Sequence, residues 1–150
     1  NGIPVAAIDH RAYGDDREAF EKAIHEVLEL HGVGFIALAG FMRVLTPWFV
    51  EQWTGRMINI HPSLLPKYPG LHTHRRAIEA GDAEHGCSVH WVTEGVDEGD
   101  VILQARVPIE AGDTEDTLAA RVLQAEHDLY PKALAKALET LPDQEASAAN

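Results

Sequence analysis

Cysteine is almost missing: Cys87 stands alone in 150 residues, which rules out an internal disulfide and fits a reducing compartment. Cations are scarce as well. Twelve Lys and Arg against 24 Asp and Glu give a formal charge of −12, which repels phosphate backbones and anionic membranes, so neither nucleic acid nor a membrane is expected as a partner. The longest apolar run, "VGFIALAGFM", is too short to cross a bilayer and stops at Arg43. The opening "NGIPVAAIDH" has no charged segment leading into a long apolar one. The expectation is a soluble, cytoplasmic protein.

Several motifs are absent too. Neither G-x-G-x-x-G nor a Walker sequence occurs, and "GVG" at 32–34 precedes a strand rather than following one, the wrong order for a nucleotide loop. "GCSVH" lacks the second Gly of a hydrolase elbow, so Ser88 is not expected to be a nucleophile. His72, His74, His85 and His90 cluster in sequence, and Asp82 lies among them, but no recognised zinc spacing links them. No metal is expected.

What remains reads as an α/β chain, with 45% hydrophobic residues and enough length for a real core. "IPVAAI" (3–8) has the look of a short edge strand. Residues 15–30 place Phe20, Ile24, Val27 and Leu28 on one face at helical spacing, with Glu21 among the polar remainder, acids at the start and Gly32 as a stop. "VGFIALA" (33–39) suits a strand covered on both faces. Thr46 and Pro47 open a helix through "TPWFVEQW", "RMINI" is the next strand, and the alternation points to a mostly parallel sheet with helices on both faces. "THRRAIEAG" makes a short helix closed by Gly81. "GCSVHWVT" and "DVILQARVPI", joined by "EGVDEG", form an antiparallel hairpin. A last helix over 114–139 is capped by Thr114, carries Leu118, Val122, Leu123, Leu129, Leu134 and Leu138 at helical spacing, and should kink or break at Pro131. A domain over 1–140 with a disordered tail over 141–150 is the expected organisation, and the chain's opening at Asn1, close to a strand, reads as a fragment.

In such a sheet, ligands bind beyond the carboxyl ends of strands, and "GFMRVL", "NIHPSLLPKYPG" and "TEGVDEG" should converge there. Asn59 and His61, two apart at a strand end, point the same way, and an amide beside an imidazole can hold a carbonyl oxygen that becomes an oxyanion. The same pair has a purely structural use: Asn59 satisfying the turn backbone, His61 capping the loop. Asp97 could raise the imidazole's pKa, or be solvated turn chemistry. Arg43 could grip a ligand carboxylate or ring nitrogen, or mark the return to solvent, and Arg17 has a surface position as its default.

The stretches "NIHPSLLPKYPGLHTHRRAIEAGD", "LAGFMRVL", "GCSVHWVTEGVDEGDVILQ" and "RVLQAEHDLYP" resemble the phosphoribosylglycinamide formyltransferase family, folate-dependent enzymes of purine synthesis, over about residues 1–138. The resemblance implies a Rossmann-like formyltransferase fold and transfer of a formyl group from 10-formyltetrahydrofolate, as cosubstrate, to the amine of glycinamide ribonucleotide, by a monomer or homodimer. It implies catalytic roles for Asn59, His61 and Asp97. It further implies folate contacts at Arg17, Met42, Arg43, Val44, Leu45, Asn59, Thr93, Glu94, Gly95, Val96 and Asp97, and ribonucleotide contacts at Gly70 and Glu126. The family's N-terminal strand and "G-x-G-S-N" phosphate loop are not in this sequence, so the alternatives are a formyltetrahydrofolate hydrolase or a catalytically silent folate-binding fragment.

Overall fold

A computed structural model describes residues 2–41 and 43–141. The elements run α1 (Arg17–Leu30), β1 (Ile36–Leu38), α2 (Pro47–Gln52), β2 (Met57–His61), α3 (Thr73–Glu79), β3 (Glu84–Trp91), β4 (Val101–Pro108) and α4 (Glu115–Leu138). The sheet order is β1-β2-β3-β4; β1 and β2 are parallel, while β2–β3 and β3–β4 are antiparallel. The α/β class and the hairpin are therefore as expected. The sheet is parallel in its first part and antiparallel in its second.

β2 is the strand with helices on both faces, because its residues alternate. Ile58, fully buried, joins Cys87, Val89, Leu118, Val122, Leu129, Ala133 and Ala137 under α4. Its neighbour Met57 points the other way into Phe49, Val50 and Trp53 of the α2 region, against which Ile24 and Leu28 of α1 also pack. Cys87 is the small buried hydrophobe expected, its thiol pushed up to about 12 by burial. Gly86 lets β3 and β4 meet: a Cβ there would lie 1.9 Å from the Ala105 carbonyl oxygen, a backbone atom with no room to move. Gly86→Ala is expected to cost about 1–3 kcal/mol. Unfolding in urea checks it, and an unchanged midpoint would contradict the close approach.

Five local expectations need correction. Residues 3–8 form no strand, and Ile3 and Val5 are 75% and 90% exposed, since β propensity without a paired neighbour does not make a strand. The strand expected over 33–39 is only Ile36–Leu38, the length over which β2 offers partners. α4 runs unbroken through Pro131, held to β3 and β4 by Leu129, Ala133 and Ala137, so packing outweighs one lost backbone hydrogen bond. Along the same helix Leu123 and Leu138 face outward.

Glu21 belongs to the core rather than the polar face. Only 3% exposed, its carboxylate accepts from the Thr46 backbone N–H at 2.8 Å and from the Thr46 hydroxyl. It thus supplies negative charge at the N-terminus of α2, while Thr46 makes no side-chain cap of its own. The tail expected over 141–150 lies, from residue 142 on, outside the described residues. Among the described residues no helix is long and apolar enough to cross a membrane.

His85 links this core to pH. It is 1% exposed on β3 with Nε2 3.2 Å from Nδ1 of His74, and burial, then the neighbouring His74, pushes it down to about 4. The folded chain refuses a proton that the unfolded chain accepts near 6.5, so this contribution is complete above 6.5 and fades as pH falls toward 4. Between pH 7 and 4.5, stability should drop by about 2–3 kcal/mol more in the parent than in His85→Gln. Equal drops in parallel denaturation curves would exclude the assignment.

Candidate active site

The site is built on one face of β2 and β3. Asn59 pairs with His90 and His61 with Ser88, so these four side chains share the face opposite Ile58, Cys87 and Val89. Asn59, His61 and His90 border a cleft of about 700 Å³ that reaches Leu38 of β1 and the first half of α4. Arg43, Val44, Leu45, Asn59, His61, Gly70, the segment 93–97 and Glu126 all line it. Arg17, exposed at the start of α1, does not, and Met42 lies outside the described residues.

The three segments converge as expected, by a different route. β3 is antiparallel to β2, so its end lies beside the start of β2, and residues 93–99 must double back for Asp97 to reach His61. Gly99 makes the return possible. A Cβ on it would sit 1.7 Å from the Trp91 carbonyl oxygen, where Trp91 N–H also bonds Asp100 at 3.0 Å. Asp97 itself has φ 53°, in the left-handed region where Asp is among the few residues tolerated. Gly99→Ala should displace this loop and cut turnover about 100-fold, because catalytic geometry tolerates little misplacement. Undiminished turnover by a folded variant would show that the loop's path is immaterial.

The loop after β2 is held by more than its prolines. Ser88 Oγ donates to the Ser63 carbonyl at 2.7 Å and accepts from Leu65 N–H at 3.1 Å, and Gln104 Nε2 donates to the Leu65 carbonyl at 2.8 Å. Thr73 Oγ1 reaches the Pro62 carbonyl at 2.6 Å, and Arg76 bonds the carbonyls of Pro69 and Leu71. Tyr68 OH donates to Asp82 at 2.6 Å, which gives Asp82 a structural job in place of the metal ligation weighed from sequence. Among the described residues no group of three or more His, Cys, Asp or Glu side chains is arranged to hold a metal ion. Among the described residues the bonds that hold the turn run through Ser63, Thr73, Arg76 and Ser88, and His61 joins them through the Tyr68 carbonyl.

His61, 6% exposed, has acceptors at both ring nitrogens: Nε2 donates to the Tyr68 carbonyl at 2.8 Å, and Nδ1 lies 3.4 Å from Asp97 Oδ2. Only the imidazolium satisfies both. Burial nevertheless lowers its pKa below the ordinary value, outweighing the upward pull of the Tyr68 carbonyl and of Asp97. Asp97 thus acts in the expected direction without prevailing. Burial would raise Asp97's own pKa, but His90, the Gly70 N–H at 3.0 Å and His61 together hold it below the usual carboxylate value. Glu126, half-buried in the cleft, is raised by burial. In Asp97→Asn the titration midpoint of His61, read by NMR of its ring, should fall further; a midpoint that stayed or rose would sink this electrostatic account.

His90 is a cleft residue that the sequence does not single out. It lines the cleft and turns Nε2 toward Asp97 Oδ1 at 3.4 Å. Its signal was the strand pairing with Asn59, which emerges only from the register.

Residues 1–134 match the family model described as formyl transferase. The chain belongs to the formyl transferase family. It is 56% identical over 117 residues to the phosphoribosylglycinamide formyltransferase of Escherichia coli, covering 78% of this chain and 55% of that protein. It is 49% identical over 133 residues to the human trifunctional purine biosynthetic protein adenosine-3, covering 89% of this chain and 13% of that one. The chain therefore spans about half of the first relative's length and a small part of the second's. A crystal structure of phosphoribosylglycinamide formyltransferase from Brucella melitensis superposes with a TM-score of 0.84 at 48% identity, covering 95% of this chain and 72% of that one. The enzyme of the same name from Bacillus halodurans gives 0.85 at 42%, covering 92% and 71%. The Rossmann-like formyltransferase fold is thus shared with enzymes of known structure.

Proposed function

We propose that this chain carries the transfer centre of a phosphoribosylglycinamide formyltransferase, moving a formyl group from 10-formyltetrahydrofolate to the amine of glycinamide ribonucleotide. The observation that carries the reading is the placement of Asn59 and His61 side by side on one sheet face, with Asp97 3.4 Å behind the imidazole, at the edge of a cleft large enough for a folate head and a second substrate. The relatives' names support the substrate class.

In this mechanism the free-base amine attacks the formyl carbon, and the carbonyl π pair moves onto oxygen. Asn59 Nδ2–H and a His61 N–H donate to that oxyanion, where donors in a half-buried cleft are strongest. His61 Nε2 has to exchange the Tyr68 carbonyl for the formyl oxygen, and the developing negative charge favours the imidazolium that burial alone opposes. Collapse breaks the bond from the formyl carbon to the folate nitrogen, and that nitrogen takes up the proton that the attacking nitrogen loses, passed by way of water and Asp97. No covalent enzyme intermediate is needed.

Arg43, Val44, Leu45, Asn59 and the segment 93–97 are proposed to contact the folate, with Arg17 and Met42 assigned there by resemblance alone. Gly70 and Glu126 are proposed to contact the ribonucleotide. The test is product analysis on the full-length protein with and without glycinamide ribonucleotide. Formyl transfer that requires the ribonucleotide supports the reading. Formate release at the same rate in its absence would make the protein a hydrolase, and folate binding without turnover would make it a silent module.

A further inference from the structure

His90 sits on the far side of Asp97 from His61, in the same strand pair as Asn59, and is 3% exposed. Its Nδ1 lies 3.0 Å from the Trp91 carbonyl, which fixes a proton on that nitrogen. Its Nε2 is buried and has no directed hydrogen bond among the described residues, yet it lies 3.4 Å from Asp97 Oδ1. An unpartnered buried ring nitrogen costs free energy that a merely packed residue would not need to bear.

The two oxygens of Asp97 are held differently. Oδ2 accepts from Gly70 N–H at 3.0 Å and faces His61 Nδ1. Among the described residues Oδ1 faces His90. Two imidazoles therefore bracket one carboxylate, each anchored through its other nitrogen to a backbone carbonyl. Resting on the reading of Asn59, His61 and Asp97 as the transfer centre, we propose that His90 is a positioning residue for formyl transfer: its Nε2 holds Oδ1 of Asp97 and so keeps the other carboxylate oxygen aimed at His61.

The proposal has a sign that distinguishes it from simple proximity. As a like-charged neighbour, His90 lowers the pKa of His61, whereas Asp97 raises it. Removing a mere neighbour would therefore raise the His61 midpoint. Removing the residue that aims Asp97 lowers it. The other groups facing His61 stay constant in such variants: Arg76 and His74 on α3, and His85 on β3.

The experiment compares His90→Leu and His90→Gln in the full-length protein, with Asp97→Asn as reference, by NMR titration of the His61 ring and by steady-state kinetics. For His90→Leu the His61 midpoint should fall toward that of Asp97→Asn, and kcat should fall about 10- to 100-fold, as expected for a displaced catalytic group, with KM changed less than about threefold. His90→Gln, whose amide can still donate to Oδ1, should hold kcat within about threefold of the parent and its midpoint no lower than the parent's. A His61 midpoint in His90→Leu equal to or above the parent's overturns the proposal. If His90→Leu fails to fold, His90→Asn, too short to reach Oδ1, takes its place with the same expected signs. A parent without any formyl transfer would refute the assigned function, while the titration would still decide the link between His90 and His61.

Discussion

His61→Ala in the full-length protein is expected to slow formyl transfer about 100- to 1000-fold, the usual loss for one oxyanion donor. The size follows from where the ring sits. It is 6% exposed and locked between the Tyr68 carbonyl and Asp97, so no water of similar orientation replaces it when the side chain is removed. Ground-state binding should change little, because the charge it meets exists only as the formyl carbon becomes tetrahedral. Asn59→Ala should cost a similar factor, and the double variant less than the product of the two, since both donors serve one oxygen. A near-normal single-turnover rate in His61→Ala would remove His61 from the chemistry.

Ile58→Ala is expected to destabilise the protein by about 2–5 kcal/mol. Ile58 is fully buried between β3 and α4, at the centre of the larger core cluster, and its carbonyl lies 3.4 Å from the Tyr130 hydroxyl. The cavity left behind cannot collapse easily, because Cys87 and Val89 are fixed by the β3–β4 ladder and α4 is pinned by Tyr130 OH on the Leu38 carbonyl at 2.5 Å. Leu123→Ala, on the same helix but 49% exposed, should shift stability by less than about 0.5 kcal/mol. Urea midpoints at unchanged slope measure both. Similar losses from the two would mean that α4 does not present the face assigned to it.

The helices were legible where a local signal existed. The acids before Arg17, Pro47 in the first turn of α2 and the Thr114 cap all act within one turn of chain, and Thr114 does accept from Thr117 N–H at 3.2 Å. The hairpin was legible from its short acidic loop. Burial along α4 was not: Ala133 and Ala137 face the core while Leu138 is 44% exposed, because which stripe is covered depends on the sheet beneath it and not on side-chain size. Glu21 was misplaced for a related reason. A carboxylate between apolar helical positions looks solvated until a second helix N-terminus arrives beside it.

Asn59, His61 and Asp97 stand out as candidates partly from spacing and partly from the family resemblance. Their arrangement was not. Asp97 lies 36 residues beyond His61, and its approach depends on the close pass of Gly99 over Trp91 and on the reversal of a strand antiparallel to β2. The direction of the His61 shift was also out of reach. Sequence places an acid near the ring, but burial opposes it and prevails.

By itself, then, the sequence determined the α/β class, the positions of the helices and hairpin, and the residue types available at the candidate site, because these follow from period, caps and motifs within a few residues of one another. Only the tertiary structure decided the strand register, the bracketing of Asp97 by two imidazoles and the balance of burial against charge at His61. Those depend on which distant segments come within about 4 Å, the range over which hydrogen bonds and ion pairs act.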